Sequence, residues 1–187
     1  GRIVGTVFSM VSIAVMTRSL GTTLGVEEGV RSYGIYAAVL AYVTIVSVLA
    51  DGGLYLFFTR ESARDPERET SLLEVTWRAR SLLMFLGVVG GIVVSILLPY
   101  PRLAVIGILI ASAGMVCQLG SQLLLGVFQR RVRLTTPAVA EVLGRAAQLV
   151  LIVMAARAGG GVLAFLGAFT AGTAVTATLS AAPAGSV

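Results

Sequence analysis

Leu103-Ala-Val-Ile-Gly-Ile-Leu-Ile-Ala-Ser-Ala-Gly-Met-Val-Cys-Gln-Leu-Gly-Ser-Gln-Leu-Leu-Leu-Gly-Val-Phe128 contains no charged residue. A helix rises 1.5 Å per residue and the hydrocarbon core of a bilayer is ~30 Å thick, so ~20 such residues cross it. Five further apolar runs flank this one, over residues 3–17, 34–58, 82–98, 137–156 and 162–179. The second is interrupted at Ala50-Asp51-Gly52-Gly53 and resumes from Leu54 to Phe58. Pro99-Tyr-Pro101 stops the third, and Thr136-Pro137 opens the fifth as a good N-cap and first helical residue. Composition points the same way: 57% of residues are hydrophobic, 12% are charged and the mean hydropathy is +0.94. The exterior of a water-soluble domain of this size would need more polar residues. The expectation is an all-α, polytopic membrane bundle of six transmembrane helices, because only helices and closed barrels satisfy every backbone group in lipid.

Charge lies mostly between the runs. All 14 basic residues are arginine. Nine fall on the side that carries the N-terminus: Arg2, Arg60, Arg64, Arg68, Arg78, Arg80, Arg130, Arg131 and Arg133. Four fall opposite: Arg18, Arg31, Arg102 and Arg157. The bias predicts a cytoplasmic N-terminus in a multi-pass protein of the cytoplasmic (inner) membrane, with Tyr100 at the outer interface and Trp77 at the inner one. The net charge of +5 is explained by this topology and gives no reason to invoke nucleic acid. The stretch from Arg60 to Arg80 reads as a cytoplasmic interfacial helix, started by Asp65-Pro66 and bending into the third span. The chain begins at Gly1 and ends without a polar tail, which reads as a piece of a longer protein.

No histidine is present, and the lone Cys117 reads as a small core residue. There is no phosphate-binding glycine loop, CxxC motif, Ser/His/Asp set or pair of carboxylates at a cavity position. No metal site and no cofactor are expected, and the chain does not read as an enzyme.

The polar residues inside the runs are therefore the candidates for function. Arg145 lies eight residues past Pro137, so ~12 Å into the fifth span, where a charge costs ~3 kcal/mol or more by insertion scales. Glu141 and Gln148 share its face at i−4 and i+3. Their simplest role is an intrahelical ion pair that lets the span insert. Their functional role would be a charged cavity wall. Gln118 and Gln122 form an i, i+4 amide pair in the fourth span, suited to a polar cavity. Ser9 and Ser12, and Thr170, Thr173 and Thr176, form stripes for which helix–helix packing is the favoured reading. Small residues at Gly87, Gly90, Gly91, Gly107, Ser112, Gly114, Gly167, Ala171 and Gly172 permit close helix approach. Asp51, at the glycine break, reads either as a helix cap or as a gating or coupling acid. Arg18 or an arginine of another span would be its partner, since Arg60 is nine residues along.

Two stretches resemble a known family. Thr17-Arg18-Ser19-Leu20-Gly21, Ser32-Tyr33-Gly34-Ile35-Tyr36 and Ala50-Asp51-Gly52-Gly53-Leu54 through Thr59-Arg60-Glu61 form the first. Leu124-Leu125-Gly126-Val127-Phe128-Gln129-Arg130 with Ala140-Glu141-Val142-Leu143-Gly144-Arg145 forms the second. Together they resemble the polysaccharide transporter branch of the multidrug/oligosaccharidyl-lipid/polysaccharide (MOP) superfamily, the lipid-linked oligosaccharide flippases. The segment between Gly21 and Tyr33 departs from the family pattern by its length. The resemblance implies an N-terminal six-helix lobe whose C-terminal lobe is missing. It also implies a cytoplasmic N-terminus and a polyprenyl-pyrophosphate-linked oligosaccharide as cargo, moved to the outer leaflet amid membrane lipid for surface polysaccharide assembly. Arg145, Glu141, Gln148, Gln118 and Gln122 would then contact substrate, while Asp51, Arg60 and Arg18 would gate or couple. A multidrug exporter of the same superfamily and a membrane glycan-polymerising enzyme are the competing readings. The first favours acidic cavities, and the second needs a large catalytic loop.

Overall fold

The computed structural model describes residues 2–65, 69–97, 101–130 and 135–181. Seven α-helices make up this part of the chain: α1 (Arg2–Leu24), α2 (Val26–Asp51), α3 (Leu54–Arg64), α4 (Glu69–Leu97), α5 (Arg102–Arg130), α6 (Thr135–Arg157) and α7 (Val162–Ala181). No strand occurs among the described residues. Six segments are long and apolar enough to cross a bilayer, because α2 and α3 together make one, Val26–Ser62. The expected all-α membrane bundle of six spans is therefore the observed fold.

Several helices are longer than the apolar runs alone suggested. α1 runs on to Leu24 and α2 starts at Val26, so the segment expected as a long outer loop is helical on both sides of Gly25. The backbone amides of Leu20 and Gly21 approach Gly29 so closely that a Cβ there would sit 2.9 Å from the Gly21 nitrogen. α6 opens at Thr135, one residue ahead of the expected cap. The expected interfacial helix is not a separate element either. α4 is continuous from Glu69 through the third span, because no glycine or proline interrupts it before Gly87. Asp65 stands at the C-terminal end of α3, and the proposed helix start at Pro66, with Tyr100, lies outside the described residues.

α7 is central. It packs along α5 and α6 and touches α2, while α1 lies between α6 and α2. α4 and α3 lean on the outer side, against α2 and α5. The apolar core runs through Met16, Leu20, Val39, Val43, Ile108, Met115, Leu119, Phe165 and Leu166, all nearly inaccessible. The outside is equally apolar: Met10, Leu56, Phe85 and Leu97 are 64–77% exposed, which is tolerable only where lipid is the solvent.

Two hydroxyls tie helices across this interior. Tyr42 Oη donates to Gly87 O, fixing α2 to α4, and Thr170 Oγ1 donates to Ile110 O at 2.8 Å, fixing α7 to α5. Other hydroxyls bond back along their own helix, as Ser112 to Ile108 O and Thr176 to Gly172 O. Gly167 has no neighbour within van der Waals reach of a Cβ, so it does not share the packing role of the other small residues.

α6 and α7 cross where both are glycine. A Cβ on Gly144 would lie 2.8 Å from Gly172 O, and one on Gly172 would lie 2.6 Å from Gln148 Cβ. Backbone cannot yield as a flexible side chain can. Gly172→Val is therefore expected to force the helices apart and destabilise the bundle by about 1–3 kcal/mol. Thermal unfolding in detergent reads this as a lowered midpoint, and an unchanged midpoint would contradict the close crossing.

Candidate functional site: a polar cavity lined by Arg145 and Glu141

The crossing at Gly144 fixes what its helix neighbours face. Glu141, Gly144, Arg145 and Gln148 follow i, i+3, i+4, i+7 spacing and so lie on one face of α6. That face meets Gln118, Ser121 and Gln122 of α5 and Thr173, Thr176 and Ser180 of α7 around a cavity of about 440 Å³. All five residues expected at a substrate site, Arg145, Glu141, Gln148, Gln118 and Gln122, line this one space. Sequence spacing had placed them in pairs on separate spans. The packing of α5, α6 and α7 brings the pairs together.

The intrahelical ion pair between Glu141 and Arg145, the simpler of the two readings, does not form. Among the described residues neither side chain has an ion pair or hydrogen bond. Glu141 Oε1 instead lies 3.9 Å from the position of a Cβ on Gly5 of α1, so its carboxylate leans toward that helix. Arg145 is half-buried near the middle of α6, with its five N–H donors uncommitted. Gln118, Gln122 and Gln148 likewise have no hydrogen-bond partner among the described residues. Uncommitted polar groups at this depth in a membrane bundle mark a wet cavity rather than a packed seam.

A second, smaller chamber of about 210 Å³ adjoins the first. Ser9 and Ser12 of α1 and Tyr33 and Tyr36 of α2 form one wall. Arg145, Gln148 and Phe169 line both spaces, so these residues stand where the two meet. The sequence had offered Tyr33 and Tyr36 only as part of a family motif, and Phe169 not at all. No periodic signal separates a cavity aromatic from a core one.

The three residues expected to gate or couple are not brought together. Arg18 is exposed near the end of α1 that packs on the beginning of α2, whereas Asp51 ends α2, ~28 Å away along the helix. Arg60 is exposed on α3. Asp51 pairs with an arginine of another span, the second of the two expected kinds of partner: the Arg80 Nη2 and Asp51 Oδ1 form an ion pair, and Arg80 Nη1 donates to Leu119 O at 3.2 Å. Arg80 was expected among the cytoplasmic loop arginines. It is the largest completely buried side chain among the described residues, 0% exposed, inside the span Ser71–Ser95. Removing it from the topological count leaves eight arginines against four, so the bias keeps its sign. Its position two residues before an apolar run made it look like a flank. Only its burial between α2 and α5 reveals an interior role.

The pair sits at the break between α2 and α3. Gly52 and Gly53 have φ of 43° and 83°, the left-handed region that glycine enters without a steric cost. Gly52 N–H still donates to Val48 O, which closes α2, and α3 restarts at Leu54. The expected break is thus present, and Asp51 is the last residue of α2. The buried Arg80 Nε and Thr76 Oγ1, one turn apart, have no hydrogen-bond partner among the described residues.

Among the described residues, no group of histidine, cysteine, aspartate and glutamate could hold a metal ion. No curated protein and no solved structure matches the chain. A model of the family described as polysaccharide biosynthesis protein matches residues 1–184, almost the whole chain. The chain is thus a multi-pass membrane protein that belongs to the polysaccharide biosynthesis family, within the polysaccharide transporter branch of the MOP superfamily that its motifs resemble.

Proposed function

We propose that this chain is the N-terminal lobe of a flippase that carries a polyprenyl-pyrophosphate-linked oligosaccharide from the cytoplasmic to the outer leaflet. The unpaired Arg145 in the wall of an interior cavity is the observation that carries this reading. A guanidinium offers a rigid fork of donors that matches phosphate oxygens, and in a low-dielectric interior an anionic group repays much of its desolvation. The amides of Gln118, Gln122 and Gln148 both donate and accept, as sugar hydroxyls do. The arginine bias supports an N-terminus in the cytoplasm, and with that orientation Gln122, Glu141 and Ser180 would lie toward the cytoplasmic half of the cavity. A second lobe would supply the opposite wall, and rocking of the two would expose the cavity to each leaflet in turn. Membership of the polysaccharide transporter branch favours transport over bond-making chemistry. Glu141 lines the larger cavity too, but of the two charges only Arg145 also borders the smaller chamber, and it favours an anionic cargo over the cationic drugs of an exporter.

A vesicle assay tests the reading. Inverted membrane vesicles carrying the full-length protein and a radiolabelled lipid-linked oligosaccharide are treated with a membrane-impermeant glycan oxidant. The wild type is expected to move label into the protected lumen. Gln118→Leu with Gln122→Leu is expected to slow this about tenfold, on the scale of one lost pair of hydrogen bonds. Equal protection with and without the wild-type protein would overturn the proposal.

A further inference from the structure

We infer that the smaller chamber is a subsite for one pyranose ring of the transported glycan, distinct from the contacts at Gln118 and Gln122. The inference rests on the proposed cargo and adds where a sugar ring is held. Ser12 is 6% exposed and Tyr36 7% exposed, yet neither hydroxyl has a hydrogen-bond partner among the described residues. Both residues line the chamber. A serine hydroxyl in a helix ordinarily bonds back to its own chain, as Ser112 and Ser9 do here, whereas a tyrosine hydroxyl, far from its own backbone, needs a partner from elsewhere. Two that stay unsatisfied at one small space call for an occupant with matching donors and acceptors.

The shape narrows the class of occupant. Tyr33 and Tyr36 stack at 6.4 Å between ring centroids with 27° between their planes, and both line the chamber, so its wall is aromatic. Phe169 contributes a third ring, and Gln148 an uncommitted amide. Aromatic faces beside hydroxyl and amide groups suit a ring with apolar C–H faces and a polar edge, which describes a pyranose. A drug-like apolar molecule would leave the hydroxyls of Ser12 and Tyr36 unpaired, and a bare phosphate would not use the rings. The volume of about 210 Å³ would hold ~7 waters at the liquid's share per molecule, room for one ring and not for an oligosaccharide. Arg145 borders this chamber as well as the larger cavity, so a pyrophosphate held there is adjacent to the ring.

The test uses the full-length protein in detergent and two soluble probes, farnesyl pyrophosphate and farnesyl-pyrophosphoryl-N-acetylglucosamine, with affinities read by microscale thermophoresis. The wild type is expected to bind the sugar-bearing probe about tenfold more tightly, the scale of a good aromatic contact together with its hydrogen bonds. Tyr33→Leu is expected to reduce that gain to within about twofold while leaving farnesyl pyrophosphate unchanged. Tyr36→Phe keeps the packed ring and removes only its hydroxyl, so it checks the same point without disturbing the core; a partial loss of the sugar-dependent gain is expected. Full retention of the gain in both variants, or no gain in the wild type, overturns the inference. Arg145→Gln is expected to weaken both probes equally. If it weakens neither, the pyrophosphate reading itself fails, which is a separate outcome.

Discussion

Arg145→Ala in the full-length protein is expected to abolish surface polysaccharide while the protein still inserts and accumulates in the membrane. The two halves of this result have different causes. A hydrogen bond to a charged group contributes ~1.5–3 kcal/mol, so loss of the guanidinium should weaken pyrophosphate binding by about 10- to 100-fold. Insertion is unaffected or improved, because an arginine at this depth opposes insertion by ~3 kcal/mol and has no ion-pair partner here that its removal would strand. Arg145→Lys distinguishes a point charge from a bidentate grip. Partial activity would show that charge suffices, and near-complete loss that the planar fork is required. Normal polysaccharide in the alanine variant, at wild-type protein levels, would remove Arg145 from the mechanism and with it the main support for an anionic cargo.

The second large effect concerns stability, and it is asymmetric. Breaking a buried ion pair by deleting one partner costs ~3–5 kcal/mol, because the remaining charge stays buried. Arg80 is wholly inaccessible, whereas the Asp51 side chain is 33% exposed. Asp51→Ala therefore strands a buried guanidinium whose remaining bond is to Leu119 O, and its effect should lie toward the upper end of that range. Arg80→Met leaves a carboxylate that water can reach, so its cost should lie at or below the lower end. The double variant Asp51→Leu with Arg80→Met should be more stable than Asp51→Ala alone, since well-packed apolar residues often replace a buried pair at little cost. Thermal midpoints of the three variants in one detergent measure this. Equal destabilisation by the two single changes would show that the pair is not buried as described. If the double variant folds stably yet fails to transport, the pair has a role in transport beyond holding the break at Gly52-Gly53.

How far these features were legible depended on range. The break in the second span was visible in Asp51-Gly52-Gly53, because two consecutive glycines weaken a helix wherever they occur. The spans themselves were visible because hydropathy is summed along the chain and needs no tertiary contact. The helical continuation to Leu24 and from Val26 was not, since Thr22, Thr23, Glu27 and Glu28 read as loop by composition. The packing of Gly29 on Gly21 holds that tip together across two helices. In the same way Arg80 reads as a membrane flank, since its local neighbours are charged on one side and apolar on the other.

The linear order of residues by itself determined the class of the molecule, the number of its crossings and which of its interior side chains are polar. These follow from transfer free energies that each residue carries with it. It also put Arg145 with Glu141 on one helical face, because 3.6 residues make a turn. Only the tertiary structure decided that Glu141 would lean toward α1 and leave the arginine unpaired, that glutamines of α5 would face it, that two tyrosines of α2 would border the same space, and that Arg80 would join Asp51. Those outcomes depend on which helices are neighbours and at what rotation. In a membrane, where lipid surrounds apolar surfaces as readily as protein does, close-packed glycines and a few interhelical polar contacts settle that rotation, and hydrophobicity does not.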